Sequence, residues 1–423
     1  MRILVLAINY WPEQTGIGPV LTRRCEYLAS AGHEVTVCTS MPYYPEWRIP
    51  REYSGKMFSR EEHNGVEILR SWMWVPNKVT SAKRIAFEAS FLATSLMNAL
   101  RNRKPDMLLV VSPPLGLGLS AVFLSRWWKI PYLFDVMDLQ PDAAVDLGML
   151  PGPIRPLLYR LESMAYKHAA LISTVSEGMR QKIVSKGFSP EKVVVVPPTA
   201  DSNLFDIGTQ VLGDEFRRRH GLHDQFVVGH CGNMGVKQGL DLVLHAASRL
   251  RERRDITFIL VGDGSMKSQL EQQASSLQLS NLRFLPLLDE LSFSEMLAAT
   301  DVGLIVQQSS VSDIVFPSKT VTLLSAARPV IASVNDKSEI GRTILVSRGG
   351  VVIKPEDPDL LAEAVRSFAA DKESRQAMGE RGRQYAFKTW ETSGVLSAFG
   401  NLLTETVTLK RNNDVPSQIP ASA

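Results

Sequence analysis

Cysteine and histidine are scarce in this sequence, and neither residue type forms a metal or disulfide pattern. The 423 residues include three cysteines, Cys25, Cys38 and Cys231, and no two of them form a CxxC pair. Their separation predicts neither a disulfide framework nor a zinc site, and a reducing cytoplasm is the expected compartment. The seven histidines include no pair with metal-ligand spacing, and no Asp-x-Asp metal motif is recognised, so metal dependence is not expected. No other cofactor is expected.

An excess of one charge and a membrane-spanning run are also missing. Lys and Arg number 47 against 44 Asp and Glu, a formal net charge of +3, which argues against a nucleic-acid-binding protein. The segment 107–125 carries no charge and is long enough to span a membrane. However, Pro113-Pro114, Gly116 and Gly118 divide it into a strand, a loop and the start of a helix. The first six residues read as a strand without a cleavage site, so no signal peptide is expected.

The sequence does contain a regular alternation of β-rich apolar runs and helical patterns, which is typical of parallel α/β layers. The pattern occurs twice, and the length also favours two domains. Strands are predicted at 3–8, 34–39, 65–71, 107–111, 132–135, 171–175 and 193–196, and then at 226–231, 257–261, 282–285, 302–306, 330–332 and 350–353. We therefore predict two Rossmann-like domains, 1–205 and 206–385, with ligands in the cleft between their strand ends. A helix at 386–409 is expected to cross back to the first domain, and the tail at 410–423 to be disordered.

The segment 315–319, with the sequence VFPSK, has the features of an anion site. Pro317 suits the first turn of a helix, Ser318 can cap its backbone N–H groups, and Lys319 adds a positive charge beside the positive helix end. The helix is expected to stop before Pro329, which opens the next buried strand. This arrangement favours a nucleotide-type phosphate at the carboxyl edge of a parallel sheet. The alternative is an ordinary helix–strand junction with a surface lysine.

Glycine-bearing loops follow three predicted strands. The loop 15–18 contains Gly16 and Gly18, which let backbone approach a ligand, although a plain turn explains them equally well. It is not a dinucleotide fingerprint, because Leu21 occupies the position of the third glycine in GxGxxG. The loop 261–264 contains Gly262 and Gly264 and is a candidate to wrap a base or ribose, with a structural turn as the alternative.

The loop 229–239 carries the strongest of these glycine signals. It contains four glycines around Asn233 and Lys237 and leads from a strand into a helix. Packing alone hardly explains so many glycines. We therefore predict that this loop cradles phosphate.

With these motifs in this order, the chain resembles glycosyltransferase family 4, which has the two-domain GT-B fold. The resemblance covers nearly the whole chain and includes Ser338-Glu339-Ile340. The segments 9–13 (NYWPE), 42–45 (PYYP) and 135–142 (DVMDLQPD) resemble the branch of colanic acid biosynthesis glycosyltransferases and N-acetyl-L-fucosamine transferases. This resemblance implies two Rossmann-like domains with parallel sheets facing across a cleft. It also implies transfer of a sugar from a nucleotide-sugar with retention of anomeric configuration.

The chain departs from the family pattern at the phosphate and ribose positions. Family members usually carry Arg and Lys in the second glycine loop, where this chain has Asn233 and Gln238, with Lys237 one residue away. The two glutamates spaced eight residues apart are replaced by Ile314 and Thr322. The resemblance then implies that Lys319 carries much of the charge neutralisation and that Asp313 or Glu339 holds the ribose.

The expected chemistry depends on placement and charge. Negative charge develops on the departing diphosphate, and the candidates to stabilise it are Lys319, Ser318, Asn233 and Lys237. Retention is commonly explained by front-face attack, in which the leaving phosphate accepts the acceptor's proton. Asp138, after a strand in the amino half, is the candidate to orient the acceptor hydroxyl or act as its base. A buried capping aspartate is the alternative reading of Asp138.

Tryptophan beside basic residues predicts contact with a membrane surface. Trp72 and Trp74 precede a helix at 81–102 with basic ends, and Trp127 and Trp128 follow later. This fits a lipid-linked acceptor at the inner face of the cytoplasmic membrane, with the protein lying on the membrane rather than spanning it. The alternative for this helix is core packing with solvated ends.

Three functions therefore remain open from the sequence. The first is a retaining glycosyltransferase that extends a lipid-linked saccharide for surface polysaccharide. A UDP-linked sugar is the favoured donor, and a GDP-linked sugar is the alternative. The second is a sugar-nucleotide epimerase of the same fold, which needs an acid–base cluster that the cleft loops lack. The third is a catalytically silent scaffold in a polysaccharide assembly complex.

Overall fold

The computed structural model describes residues 1–14, 16–76, 81–146, 152–200, 210–310 and 318–414. The chain divides into two compact units. The first unit contains Met1–Pro197 and the chain from Val395 onward, and the second unit contains Pro198–Gly394. Each unit is built on its own sheet, flanked by helices. The predicted α/β class with two parallel-sheet domains is confirmed.

The first unit contains an eight-stranded sheet in the order β3-β4-β2-β1-β5-β6-β7-β8. Its strands are β1 (Arg2–Leu6), β2 (Glu34–Ser40), β3 (Phe58–His63), β4 (Val66–Ser71), β5 (Met107–Ser112), β6 (Tyr132–Val136), β7 (Leu171–Thr174) and β8 (Val193–Val195). Its helices are α1 (Ile17–Ser30), α2 (Ser81–Leu100), α3 (Leu117–Trp128), α4 (Gln140–Asp146), α5 (Arg155–His168) and α6 (Glu177–Ser185). The central strand β5 is buried over its whole length, as its unbroken apolar run requires for a strand covered on both faces.

The edge strand β3 was absent from the prediction. It pairs antiparallel with β4, whereas the other neighbours in this sheet run parallel. Its sequence, FSREEH, is polar and only partly buried, so it does not show the apolar run by which the other strands were recognised.

The second unit contains a six-stranded parallel sheet in the order β11-β10-β9-β12-β13-β14. Its strands are β9 (Phe226–Cys231), β10 (Ile256–Val261), β11 (Leu282–Leu285), β12 (Val302–Val306), β13 (Val330–Ser333) and β14 (Gly350–Ile353). Its helices are α7 (Gln210–Arg219), α8 (Asp241–Arg249), α9 (Lys267–Ser276), α10 (Glu290–Ala299), α11 (Ser318–Ser325), α12 (Glu339–Ser347), α13 (Pro358–Ala370) and α14 (Lys372–Trp390). The strand order reverses between β9 and β12, and such a reversal opens a crevice at the carboxyl ends of the strands.

The last helix, α15 (Thr392–Asp414), supplies core residues to the first unit. Phe399, Leu403 and Val407 lie on one helical face and are buried in the same core as β1 and β2. The helix continues to Asp414, into the tail for which disorder was predicted, and the sequence contains no glycine or proline between Gly400 and Pro416 to end it earlier. Residues 415–423 lie outside the described part of the chain.

Within the described residues, we find no helix that combines the length and the hydrophobicity of a membrane span.

Candidate functional site

In the second unit, three loops meet at the carboxyl edge of the sheet where the strand order reverses. They follow β9, β10 and β12, which are neighbours in the order β10-β9-β12. The loop after β9 is the predicted phosphate loop, and the loop after β12 leads into α11, which carries Ser318 and Lys319. Open α/β sheets bind their ligands at this position.

The loops after β9 and β10 are locked together by backbone hydrogen bonds. The N–H of Gly232 donates to Val261 O at 2.9 Å, and the N–H of Met234 donates to Asp263 O at 2.7 Å. In return, the N–H of Met266 donates to Met234 O at 2.9 Å. Both loops therefore present backbone in a fixed arrangement at the sheet edge.

Gly262 and Gly264 make this interlocking possible. Their φ angles are +140° and +155°, a region that favours glycine. A Cβ at Gly262 would lie 2.0 Å from Gly232 O, and a Cβ at Gly264 would lie 2.5 Å from Asn233 Oδ1. The packing of the two loops therefore requires both glycines, as the structural-turn alternative expects, and contact with a base or ribose stays a prediction.

Gln238 occupies the position of the family lysine but turns its side chain inward. Its Oε1 accepts a hydrogen bond from the N–H of Gly235 at 3.1 Å and closes the short helical turn Val236–Gln238. The main chain of Lys237 is also fixed, because its carbonyl oxygen accepts from the N–H of Gln308 at 3.0 Å. Asn233 is exposed at the junction of the two glycine loops. Contact of Asn233 and Lys237 with a ligand stays a prediction.

Lys319 reaches from the first turn of α11 to the end of β9. Its Nζ lies 3.4 Å from Nε2 of His230, and a Cβ added to Gly232 would lie 3.7 Å from the same Nζ. The amine therefore lies beside the backbone of the phosphate loop, as a diphosphate ligand would require. Burial lowers the pKa of Lys319 to about 8.

The other residues predicted for this site differ in exposure and in their contacts, and some lie outside the described residues. Ser318 is the first residue of α11 and is exposed, while Pro317 and Asp313 lie outside the described residues. Glu339 is the first residue of α12 and forms an ion pair with Arg342 at 3.0 Å. Ribose binding by Asp313 or Glu339 stays a prediction.

In the first unit, the loop after β1 is organised around a buried glutamate, Glu13. Its carboxylate accepts hydrogen bonds from Asn9 Nδ2 at 2.7 Å and from the N–H groups of Tyr43 and Tyr44 at 3.3 Å and 3.2 Å. Burial nevertheless raises the pKa of this carboxyl group. The hydrogen bonds hold the loop after β1 to the segment after β2, two neighbouring strands of the sheet.

Gly16 and Gly18 follow this glutamate in the sequence and lie at the start of α1. Gly16 has a φ of +73° and precedes the first helical residue, and a Cβ there would lie 3.8 Å from Cε1 of Tyr44. Gly18 is buried, and a Cβ there would lie 3.2 Å from Glu13 O. The positive φ therefore favours glycine at position 16, whereas at position 18 the close approach to Glu13 does so. Donor contact through these two residues stays a prediction.

Asp138 lies two residues after the end of β6, between that strand and α4. It is partly buried, and its carbonyl oxygen accepts from the N–H of Gln140 at 3.0 Å. The position is at the carboxyl edge of the first unit's sheet, as predicted, and both the catalytic and the capping interpretations remain open for its side chain.

The four predicted membrane-contact tryptophans differ in exposure. Trp74 and Trp127 are exposed, while Trp72 and Trp128 are partly buried. Trp127 extends an exposed apolar stripe along α3, formed by Leu119, Phe123 and Trp127. This stripe borders an open groove of about 390 Å³ that also contains Arg126 and Met164.

Helix α2, by contrast, packs one face into the first unit. Phe87 and Phe91 are buried, and Asn98 Nδ2 donates to Arg70 O at 3.1 Å. The core-packing alternative therefore describes this face correctly, while Ile85 and Met97 on the other side are exposed.

Comparison with known proteins identifies the family. A family model for the glycosyl transferase 4-like domain matches residues 15–199, and one for glycosyl transferases group 1 matches residues 213–385. The chain is 31% identical over 410 residues to WcaI of Escherichia coli strain K12, a glycosyl transferase assigned to colanic acid biosynthesis, and the match covers 95% of this chain and 99% of WcaI. The chain belongs to glycosyltransferase family 4.

Solved glycosyltransferase structures share the fold of this family 4 chain. Anabaena HepE in complex with UDP-glucose superposes with a TM-score of 0.69 at 17% identity, covering 96% of this chain and 100% of HepE. WaaG, a glycosyltransferase involved in lipopolysaccharide biosynthesis, superposes with a TM-score of 0.68 at 17% identity, covering 95% of this chain and 99% of WaaG. The predicted GT-B fold is confirmed.

Two residues of this family 4 chain were missed by reasoning from the sequence. His230 was assigned no role, because its contact with Lys319 joins positions 89 residues apart. Glu13 was quoted only as part of a motif, because its partners Tyr43 and Tyr44 belong to a segment about 30 residues away. The available signals were a histidine inside the otherwise apolar strand β9 and a glutamate in the loop that follows β1.

Proposed function

We propose that this glycosyltransferase transfers a sugar from a nucleoside diphosphate sugar to a lipid-linked saccharide during surface polysaccharide biosynthesis, with retention of anomeric configuration. UDP-sugars are the first candidate donors and GDP-sugars the second. The biosynthetic setting is supported by the full-length similarity to WcaI. The choice of UDP is supported by the shared fold with HepE, which has been solved with UDP and with UDP-glucose.

The observation that carries this proposal is the position of Lys319. Its amine lies beside Gly232, at the point where two glycine loops present rigid backbone at the reversal of strand order. A partly buried cation beside exposed loop backbone is suited to the diphosphate of a nucleotide. Gln238 is committed to its own loop, so Lys319 replaces the positive charge that the family pattern places in that loop.

In the proposed reaction, an acceptor hydroxyl oxygen forms a bond to the anomeric carbon while the bond from that carbon to the diphosphate oxygen breaks. The electron pair of the broken bond moves onto the diphosphate, where the Lys319 ammonium stabilises it. The proton of the acceptor hydroxyl passes to a phosphate oxygen of the leaving group on the same face of the sugar. No side-chain nucleophile is needed, and we propose that no metal ion takes part.

We assign Asp138 to the acceptor rather than to the donor. It follows β6 of the first unit, where a carboxylate can accept a hydrogen bond from a sugar hydroxyl and orient the attacking oxygen. Its role is therefore to position the acceptor or assist removal of its proton.

We propose that the α3 stripe, formed by Leu119, Phe123 and Trp127, rests on the membrane that holds the lipid-linked acceptor. These side chains are 45%, 45% and 67% exposed. Nη2 of Arg126 lies 3.1 Å from Nε2 of His168. The Lys192 amine donates to the carbonyl oxygen of Lys167, the residue before His168, at 2.8 Å. The cations Arg126, Lys167 and Lys192 therefore lie together at one end of the stripe. Apolar side chains beside cations suit the interface of an anionic bilayer.

The donor site is tested by calorimetric titration of the purified protein with UDP and with GDP, before and after Lys319→Ala. We expect one nucleotide to bind, and we expect the variant to bind it about 5- to 150-fold more weakly, as the loss of a charge-assisted contact of about 1 to 3 kcal/mol requires. Lys388→Ala, which removes an exposed lysine from α14 of the same unit, serves as the control and should bind like the wild type.

The result also separates the enzyme from the scaffold alternative. If neither nucleotide binds the wild-type protein, the donor site is wrong and a silent scaffold becomes the better explanation. If Lys319→Ala and Lys388→Ala bind equally well, the phosphate does not lie at Lys319.

A further inference from the structure

His230 and Lys319 form a contact between two ionisable side chains at the proposed donor site. His230 is the fifth residue of β9 and is completely buried, whereas Lys319 approaches it from α11. The distance from Nε2 of His230 to Nζ of Lys319 is 3.4 Å. A buried histidine beside a lysine is costly unless one of the two groups is neutral.

The burial determines which group is neutral. Burial, followed by the nearby charge of Lys319, lowers the pKa of His230 well below its usual value, so the imidazole is uncharged. An ammonium group offers three donors and no acceptor, and a neutral imidazole offers one acceptor nitrogen. If Nε2 accepts a hydrogen bond from Lys319, the proton of His230 lies on Nδ1, a buried atom that has no hydrogen-bond partner among the described residues.

We propose that His230 is a positioning residue for Lys319: it accepts one hydrogen bond from the ammonium group, directs the remaining N–H donors toward the diphosphate, and helps the amine to keep its charge. This inference rests on the proposed function, because it needs the diphosphate to bind at Lys319. It goes further in assigning a role to a histidine for which the sequence predicted none.

The surroundings of Lys319 explain why such a partner is useful. Burial lowers the pKa of the amine to about 8. The titratable groups found against it among the described residues are His230 and Cys231, both from β9, and burial raises the pKa of the Cys231 thiol so that it stays neutral. Neither group supplies a negative charge. The hydrogen bond to His230 is therefore the described interaction that favours the charged amine.

The proposal predicts how donor affinity depends on pH. The diphosphate binds the charged amine, so affinity is greatest below the pKa of Lys319 and falls as the pH rises through about 8. Binding of the anion raises the pKa of the amine, and the protein consequently takes up a proton when the nucleotide binds near that pH. Without the acceptor at His230 the pKa falls further, which moves both effects to lower pH.

The test compares His230→Phe with His230→Gln. Phenylalanine keeps an aromatic ring and removes the acceptor, whereas the glutamine side chain can place an oxygen close to the position of Nε2. UDP binding is titrated by calorimetry from about pH 6 to about pH 9, in two buffers of different ionisation enthalpy, so that proton uptake is measured together with affinity. His223→Phe, at an exposed position of the same unit, is the control.

We expect His230→Phe to weaken UDP binding about 3- to 10-fold at neutral pH and to move the fall in affinity and the peak of proton uptake down by about one pH unit. His230→Gln should restore the wild-type profile, and His223→Phe should match the wild type throughout. Lys319→Ala should abolish the proton uptake. If the phenylalanine variant does not fold, His230→Asn takes its place, because its shorter side chain removes the acceptor from the Nε2 position while keeping the amide.

Two results would overturn the inference in different ways. If the wild type binds UDP with proton uptake near pH 8 and His230→Phe shows the same affinity and the same profile, His230 does not position Lys319 and the donor site stands. If the wild type binds neither UDP nor GDP, the proposed function has failed and the inference fails with it.

Discussion

Arg24 of α1 and Asp135 of β6 form an ion pair in the interior of the first unit. The distance from Nη1 to Oδ2 is 2.8 Å, and the two side chains are 2% and 1% exposed. Ser173 donates to the other carboxylate oxygen at 2.7 Å, and the guanidinium lies 5.0 Å from the ring centre of Phe399 in α15. One pair of opposite charges therefore joins two strands to two helices.

Asp135→Ala is expected to destabilise the protein strongly, because it leaves the Arg24 guanidinium buried without its counter-charge. The expected loss is about 3 to 5 kcal/mol in the free energy of unfolding, measured by urea titration with tryptophan fluorescence. The control is Asp255→Ala, which removes an exposed partner of Arg253 and should cost no more than about 1 kcal/mol. Similar losses for both variants would contradict the assigned importance of burial.

Gly264→Ala is expected to weaken UDP binding by more than about tenfold, because the new Cβ would force apart the two loops that form the proposed phosphate cradle. Gly221→Ala is the matched control. Gly221 also has a positive φ, +58°, but a Cβ there meets no atom within 4 Å. It should lower stability by about 1 kcal/mol without changing affinity. Equal UDP affinity for both variants would show that the packing of these two loops against each other does not matter for donor binding.

Asp138→Asn separates the catalytic from the capping interpretation of this residue. If Asp138 positions the acceptor, sugar transfer should fall about 100-fold or more while UDP affinity and the unfolding midpoint stay unchanged. Transfer is followed by UDP release in the presence of membrane extract as the source of acceptor. A lower unfolding midpoint with normal transfer would assign Asp138 to a structural role.

Phe123→Ser combined with Trp127→Ser is expected to reduce binding to vesicles containing phosphatidylglycerol by about tenfold or more, because both side chains leave the bilayer interface. Binding is measured by flotation. Leu345→Ser with Val346→Ser, which removes two exposed apolar side chains from α12 in the second unit, is the control. If the wild type does not float with the vesicles, or if both double variants float equally well, α3 is not the membrane surface.

The predicted strands of the second unit agree closely with the structure, and burial is the reason. Strands such as Ile256–Val261 are covered on both faces, so their sequences are continuous apolar runs that end at loop residues. The edge strand Phe58–His63 has no such run. A signal for it was nevertheless present in Asn64-Gly65, where both residues have positive φ, because this dipeptide favours a two-residue hairpin turn.

The candidate site was only partly predictable. Lys319 and the glycine loops were recognised because charge and backbone freedom are properties of single residues and short motifs. The inward turn of Gln238 was not, since a polar side chain in a loop can hydrogen-bond either to a ligand or to its own backbone. An Asp-x-Asp pattern in the sequence, Asp357-Pro358-Asp359, was also overlooked. Its first carboxylate caps α13 by accepting from the N–H groups of Asp359 and Leu360.

The contribution of α15 to the first unit has a consequence for synthesis on the ribosome. Phe399, Leu403 and Val407 belong to the core that surrounds β1, yet they emerge only after the whole of the second unit. Domains usually fold in the order of translation. Here the first unit cannot complete its core until α15 has been synthesised, so Leu21, Cys25 and Leu28 stay incompletely covered. The second unit is contiguous in the sequence and can fold first. The nascent chain is therefore expected to need protection by chaperones during the translation of residues 198–394.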